Sequence, residues 1–441
     1  MDWSFLIEGK DAICVSTDSR NLPEGCIFVA LRGETFDGNT FALKALEQGA
    51  SLAIVDDENV YNAIQQTGEY SALLVENSLS ALQDLAREWR RQWGKRIIGI
   101  TGTNGKTTTK ELLAAVLNTK YKTLFTQGNL NNSIGVPLTL LQLTAEHELA
   151  IVEMGASHPG DIKELVEVAE PNCGLITNVG KAHLQGFGSF EGVMATKAEL
   201  YDYLLAHNGL IFRNADNPHL EQMYLSAQRS HFPQRSGLTS HSEAVLYTTG
   251  TMPEGTQLVG AYNSENIQAA LCVGEYFGIS REDGLAAIRA YVPSNNRSQR
   301  MQTEHNTLIV DAYNANPTSM QAAIQAFDFE QRSLSAQRSV SVSGLSAQRS
   351  VSAAVYILGA MRELGDYSHT EHQNIVNMLL ERKADTVLLV GDEYRETTAP
   401  YPIFSNVDEL CEQLKAHPIT GCTILIKGSR SNKLEKVLPL L

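Results

Sequence analysis

The stretch IIGITGTNGKTTTKELLAAVL, Ile97 to Leu117, decides how the chain is read. An apolar run breaks into glycines, a lysine and three threonines, then resumes with helical spacing: strand, tight loop, helix. Glycines let such a loop aim its N–H groups at phosphate oxygens, and the helix that follows adds the positive end of its dipole. The candidate nucleotide contacts are therefore Gly102, Thr103, Asn104, Gly105, Lys106, Thr107 and Thr108, and the expected ligand is ATP. Lys106 supplies a point charge for the outer phosphates, and the Thr107 hydroxyl is a candidate Mg²⁺ ligand. The pattern G-x-x-x-x-G-K-[ST] is not met, because Ile100 stands where its first glycine belongs. A phosphate loop alone does not name a reaction, since switches, kinases, motors and ligases share it.

Outward from this loop, "ELAIVEMG", "CGLITNVG" and "GLIFRNAD" are apolar runs separated by helical patterns such as "DIKELVEVAE" and "KAELYDYLLAHN". Strands buried on both faces by crossover helices read this way, which predicts an α/β protein with a central P-loop mononucleotide-binding parallel sheet. A second series, "TLIVDAY", "AAVYILGAM", "TVLLVGD" and "CTILIKG", predicts a C-terminal Rossmann-like doubly wound sheet. Short strands "CIFVAL" and "SLAIVDD" predict a small N-terminal α/β unit. Three domains are expected, at residues 1–84, 85–292 and 293–441, with a hinge at Pro293 to Asn296.

The hexapeptide LSAQRS begins at Leu225, Leu334 and Leu345. It is too short and polar to bury a solenoid face, so it is expected in low-complexity loops peripheral to the chemistry, the largest an insertion at about 331–352.

A length of 441 residues suits two or three cores. The net charge of −15 argues against a nucleic-acid or anionic-membrane partner, which requires an excess of Lys and Arg. Six scattered cysteines form no C-x-x-C pair, so neither disulfides nor zinc is expected. No run approaches the roughly 18 apolar residues of a membrane span, and a cytoplasmic location is expected.

Several motifs in order, "TGTNGKTTTKE", "TQGNLNNSIGVPLTLL", "IVEMGASHPGDI", "TNVGKAHLQGFGS", "GAYNSENIQAA", "DAYNANPTSM" and "LIKGSR", resemble the Mur ligase family over the whole chain. The resemblance implies an ATP-dependent amide ligase of peptidoglycan synthesis. "YNANPTSM" is similar to the branch whose substrates are UDP-N-acetylmuramoyl-tripeptide and D-alanyl-D-alanine. It implies an N-terminal domain for the UDP-sugar peptide, a central ATP domain and a C-terminal domain that closes with the dipeptide; a monomer is expected. Relatives that add a single amino acid, the third-residue and folate-type ligases, remain alternatives of the same class. A P-loop module without ligation is the competing class, and it predicts slow hydrolysis indifferent to any amine.

The resemblance also assigns residues. Glu153, His183 and Lys197, with Thr107, become Mg²⁺ ligands, and Lys197 is expected to be carbamylated; with Lys106 these form the catalytic set. Read alone, Glu153 and His183 are loop hydrogen-bonders and Lys197 a solvated helical lysine. Asn263 is either an ordinary helix N-cap or, by resemblance, an adenine contact. Arg297 and Asp311 are implied to reach phosphate and ribose from the C-terminal domain; their plain readings are a surface Arg and a turn cap. Substrate contacts are expected at Asp18, Ser19, Arg20, Asn129, Asn131, Asn132, Lys427 and Arg430, where the three asparagines also suit turns. In "LGAMRELG", Ala360 stands where the family usually has an acidic residue.

Overall fold

The computed structural model describes residues 2–231, 244–293, 297–340 and 353–441. The hinge residues 294–296 and the third LSAQRS copy lie outside these residues.

Ile97 to Thr101 are buried, with the runs Leu149–Glu153 and Cys173–Ile176 pairing parallel on either side. From one edge the central sheet runs Val245–Tyr247, Leu210–Asn214, Cys173–Ile176, Arg96–Thr101, Leu149–Glu153, Thr123–Phe125, all parallel. Its alternating side chains feed two cores: Ile97, Ala150 and Val152 face one way, and Ile98, Ile100 and Ile151 the other. The chain leaves Arg96–Thr101 for one side of it and later returns to the other, so a crevice opens at that strand's carboxyl end.

The N-terminal sheet is four parallel strands in chain order, Val15–Ser16, Ile27–Val29, Leu52–Val55 and Ala72–Leu74. Its register sets Val15 against Ile27, which carries Cys14 to Cys26, joined as a disulfide with Cα atoms 4.5 Å apart. This corrects the expectation of free thiols: the pair is twelve residues apart in sequence but adjacent across the sheet. The helix Ser78–Trp93 runs through the expected boundary at 84/85 and packs on the central domain, with Trp89 Nε1 donating to Leu143 O at 3.0 Å.

The C-terminal sheet runs Gln299–Gln302, Thr307–Asp311, Cys422–Lys427, Ala353–Gly359, Thr386–Val390, Ile403–Phe404; the first strand is antiparallel and the rest parallel. The first two LSAQRS copies are not in loops. They lie in the helices Pro218–His231 and Pro317–Val340, the first burying Ala227, because Leu, Ala, Gln and Arg carry helical propensity that a low-complexity reading ignores. No described helix is long and apolar enough to cross a membrane.

Candidate active site

The phosphate loop joins Arg96–Thr101 to the helix Lys106–Leu117. Gly102 has φ 142°, and a Cβ there would lie 2.0 Å from Thr177 Oγ1; Gly105 has φ 79° and a Cβ would meet Asn266 Oδ1 at 2.4 Å. Both positions therefore require glycine. Asn178 Oδ1 accepts the Asn104 N–H at 3.0 Å, and Thr177 Oγ1 donates to Asn104 O at 2.6 Å, so the neighbouring strand end shapes the loop. Lys106 Nζ bonds to Gly102 O at 2.7 Å and Thr103 O at 3.2 Å. Burial lowers its pKa against the pull of Glu153, and Arg297 lowers it further.

Glu153 closes the adjacent strand and is 1% exposed. Its Oε1 accepts from Thr107 Oγ1 at 3.2 Å and Asn131 Nδ2 at 2.7 Å, while its N–H donates to Thr126 Oγ1 at 3.0 Å. Oε2 has no hydrogen-bond partner among the described residues; the nearest cation is Lys110 Nζ at 3.8 Å. A buried carboxylate oxygen left this way suits a cation.

The charge of Lys106 lowers the pKa of both other expected metal ligands, His183 and Lys197. His183 has φ 49° and pairs through Nδ1 with Glu363 of the C-terminal domain. Burial pushes its pKa down and Glu363 pulls it up. Lys197, on the helix Phe190–Ala206, is 2% exposed, with its Nζ 5.5 Å from the Phe187 ring centre. Its pKa is pushed well below the ordinary lysine value, first by burial and then by Lys106. The solvated-face reading of Lys197 therefore fails. Among the described residues no three His, Cys, Asp or Glu side chains gather as a metal site.

A cleft of about 730 Å³ brings together Thr103 to Thr108, Asn129, Asn131, Asn132, Glu153, His183 and Asn263 from the central domain with Arg297, Asp311 and Lys427. Asn263 is no N-cap: it is the first residue of the helix Asn263–Tyr276, and its amide donates to Val259 O at 2.6 Å. Lys427 Nζ holds Asp311 Oδ2 at 2.9 Å and Asn314 O at 2.5 Å. Asn132 Oδ1 accepts from Gly135 N at 2.8 Å, a turn role held together with its place in the cleft.

Four expected contacts lie elsewhere. Asp18 and Arg20 pair with each other on an exposed N-terminal turn with Ser19 between them, which holds the Asp18 pKa down at about 2; Arg430 is exposed, 5.8 Å from the Tyr313 ring centre. None of them lines the cleft, and neither do Gly102 and Lys197.

Other residues at the site escaped sequence reasoning. Asn316 Nδ2 donates to Asn104 Oδ1 at 2.8 Å, tying "YNANPTSM" to the phosphate loop, and Lys181 Nζ meets Glu371 Oε1 at 2.7 Å across the same junction. Lys110, Asn178 and Glu363 also belong here. All of them except Glu371 stood in stretches already quoted, Lys110 within TGTNGKTTTKE and Asn178 and Lys181 within TNVGKAHLQGFGS, but nothing in those motifs marked which of their side chains would be buried or would bridge the domains.

Residues 100–274 match the Mur ligase middle domain and residues 13–90 match a region described as the Mur ligase family catalytic domain, although no cleft residue lies in the second span. The chain belongs to the Mur ligase family. Relatives from Bacillus subtilis, 32% identical over 96% of this chain and 92% of theirs, and from Escherichia coli, 34% over 99% and 95%, are both UDP-N-acetylmuramoyl-tripeptide–D-alanyl-D-alanine ligases. The fold is similar to MurF ligase from Thermotoga maritima in complex with ADP, with TM-score 0.78 and 26% identity over 97% of each chain. It is also similar to MurF from Acinetobacter baumannii, with TM-score 0.77 and 28% identity over 96% and 92%.

Proposed function

We propose that the chain is an ATP-dependent ligase that joins D-alanyl-D-alanine to UDP-N-acetylmuramoyl-tripeptide in the cytoplasm, as a step of peptidoglycan precursor synthesis. The observation that carries this reading is the single cleft in which the phosphate loop and Glu153 face Arg297, Asp311 and Lys427 from a second domain. A nucleotide-binding module has no need of the second set of groups. A ligase does, because it must bring a carboxylate against a triphosphate and exclude water.

In this reading the loop N–H groups and Lys106 hold the outer phosphates of ATP. Arg297 adds charge at the phosphates, Asp311 holds the ribose and Asn263 lies by the adenine. Asn129, Asn131 and Asn132 face the tripeptide, and Lys427 lies on the C-terminal side of the same cleft. The tripeptide's terminal carboxylate attacks the γ-phosphorus and ADP leaves, giving an acyl phosphate. The dipeptide amine then attacks the acyl carbon, loses a proton, and phosphate departs as the amide forms. Fixed cations close to these oxygens stabilise the charge that shifts during both steps.

Thr107, Glu153, His183 and a carbamylated Lys197 would hold Mg²⁺, which when bound neutralises phosphate charge. The Oε2 of Glu153, buried without a hydrogen-bond partner among the described residues, supports this. So does Lys197: burial favours its neutral amine, the form that adds to CO₂, and the resulting carbamate is an anion suited to a hard cation.

The test is phosphate release with purified UDP-muramoyl tripeptides, with and without D-alanyl-D-alanine and with single amino acids in its place. Release that depends on the dipeptide is expected. Release driven equally well by a single amino acid, or indifferent to any amine, overturns the proposal.

A further inference from the structure

Arg297 lines the cleft, and its surroundings are specific. Its guanidinium carbon lies 3.7 Å from the centre of the Tyr313 ring, a close stacking distance for a cation on an aromatic face. Its Nε is buried without a hydrogen-bond partner among the described residues. The charge it carries reaches the phosphate loop, where it opposes protonation of both Lys106 and Lys110. The next residue, Ser298, has φ 46° and shares a 2.7 Å hydrogen bond with Tyr262 of the central domain. The residue after Arg297 is thus tied through its side chain to Tyr262, and the Arg297 guanidinium itself lies on the Tyr313 face.

We infer that Tyr313 is a positioning residue, an aromatic platform that holds the Arg297 guanidinium over the phosphate loop so that its free donors meet the nucleotide without first being ordered. The ring rather than the hydroxyl does this, since no hydrogen bond of the Tyr313 hydroxyl is found among the described residues. A guanidinium donates through a rigid planar fork, so a platform that fixes its plane fixes the direction of its donors. An arginine left to search its rotamers loses that advantage on each binding event. Tyr313 follows the strand Thr307–Asp311 by two residues, so the platform travels with the C-terminal domain and delivers Arg297 only when that domain meets the loop.

This inference rests on the proposed contact between Arg297 and phosphate, and the experiment separates the two. ATP and dipeptide kinetics are measured for Tyr313→Phe, Tyr313→Leu, Arg297→Ala and the double variant Tyr313→Leu/Arg297→Ala, with thermal melting of each nucleotide-free protein as a control. Tyr313→Phe is expected to match the parent. Tyr313→Leu should raise the KM for ATP by about tenfold with little change in melting temperature, and should add nothing further once Arg297 is alanine. If Arg297→Ala leaves ATP kinetics unchanged, the phosphate contact is wrong. If Arg297→Ala is damaging while Tyr313→Leu is not, or if Tyr313→Phe is as damaging as Tyr313→Leu, the platform is wrong and the phosphate contact stands. Losses that multiply in the double variant also overturn it.

Discussion

Thr107 donates its hydroxyl to Oε1 of Glu153 at 3.2 Å, joining the first turn of the phosphate-loop helix to the end of the neighbouring strand. Neither side chain is more than 4% exposed, and the second carboxylate oxygen has only Lys110 for charge, at 3.8 Å.

That arrangement separates stability from activity. Glu153→Gln leaves the Lys110 ammonium buried with Glu111 as its remaining anion, at 4.0 Å, and should cost on the order of 3 kcal/mol of stability. Adding Lys110→Met should recover most of that loss in denaturant melts. Ligation should remain about a hundredfold or more below the parent in both variants, since the charge at the site is gone. A double variant that regained activity along with stability would remove Glu153 from the chemistry.

Lys197→Ala should be inactive by about a hundredfold or more and partly restored by a small carboxylate such as formate, which places an anion where the carbamate would stand. Full activity in the unrescued variant would refute the carbamate. A readout independent of turnover is the intact mass of the parent after exposure to bicarbonate, compared with Lys197→Ala.

Asn316 has two jobs. Its Oδ1 accepts the Ser319 N–H at 2.9 Å, capping the helix Pro317–Val340, and its Nδ2 reaches Asn104. Asn316→Ser keeps a cap and loses the bridge, so its melting temperature should stay near the parent while the KM for ATP rises several-fold. Asn316→Ala should lose about 1 kcal/mol of stability as well. Equal kinetics in the parent and both variants would show that the bridge does not help assemble the cleft.

His372 is fully buried, accepts the Met361 N–H through Nε2 at 3.0 Å, and bonds the Ser368 carbonyl through Nδ1 at 2.7 Å. Burial lowers its pKa from the ordinary value of about 6.5. With the folded pKa below the unfolded one, its contribution to stability is fully present above about pH 6.5 and is lost as pH falls toward the folded value. Because Met361 precedes the loop that carries Glu363, acid should loosen the C-terminal face of the cleft. The slope of melting temperature against pH between roughly 6.5 and 5 should flatten in His372→Gln; an unchanged slope would assign the acid sensitivity to other groups.

Local pieces were legible in the chain's own pattern: the phosphate loop, the strands Arg96–Thr101 and Leu149–Glu153 and the two further sheets, while Glu153, His183, Asn263, Arg297 and Asp311 stood out only through the family resemblance. Those signals are local because hydrophobic period, glycine placement and short motifs act over a few residues. Tertiary structure alone decided which residues meet. It set Cys14 beside Cys26 through strand register, made helices of two LSAQRS copies, buried Lys110 and Lys197, and carried Asn316 to Asn104 and Tyr313 under Arg297. It also left Asp18, Arg20 and Arg430 away from the cleft. Burial and long-range contact depend on how sheets and domains pack, and one lysine on a helix reads like another until that packing fixes which of them water can reach.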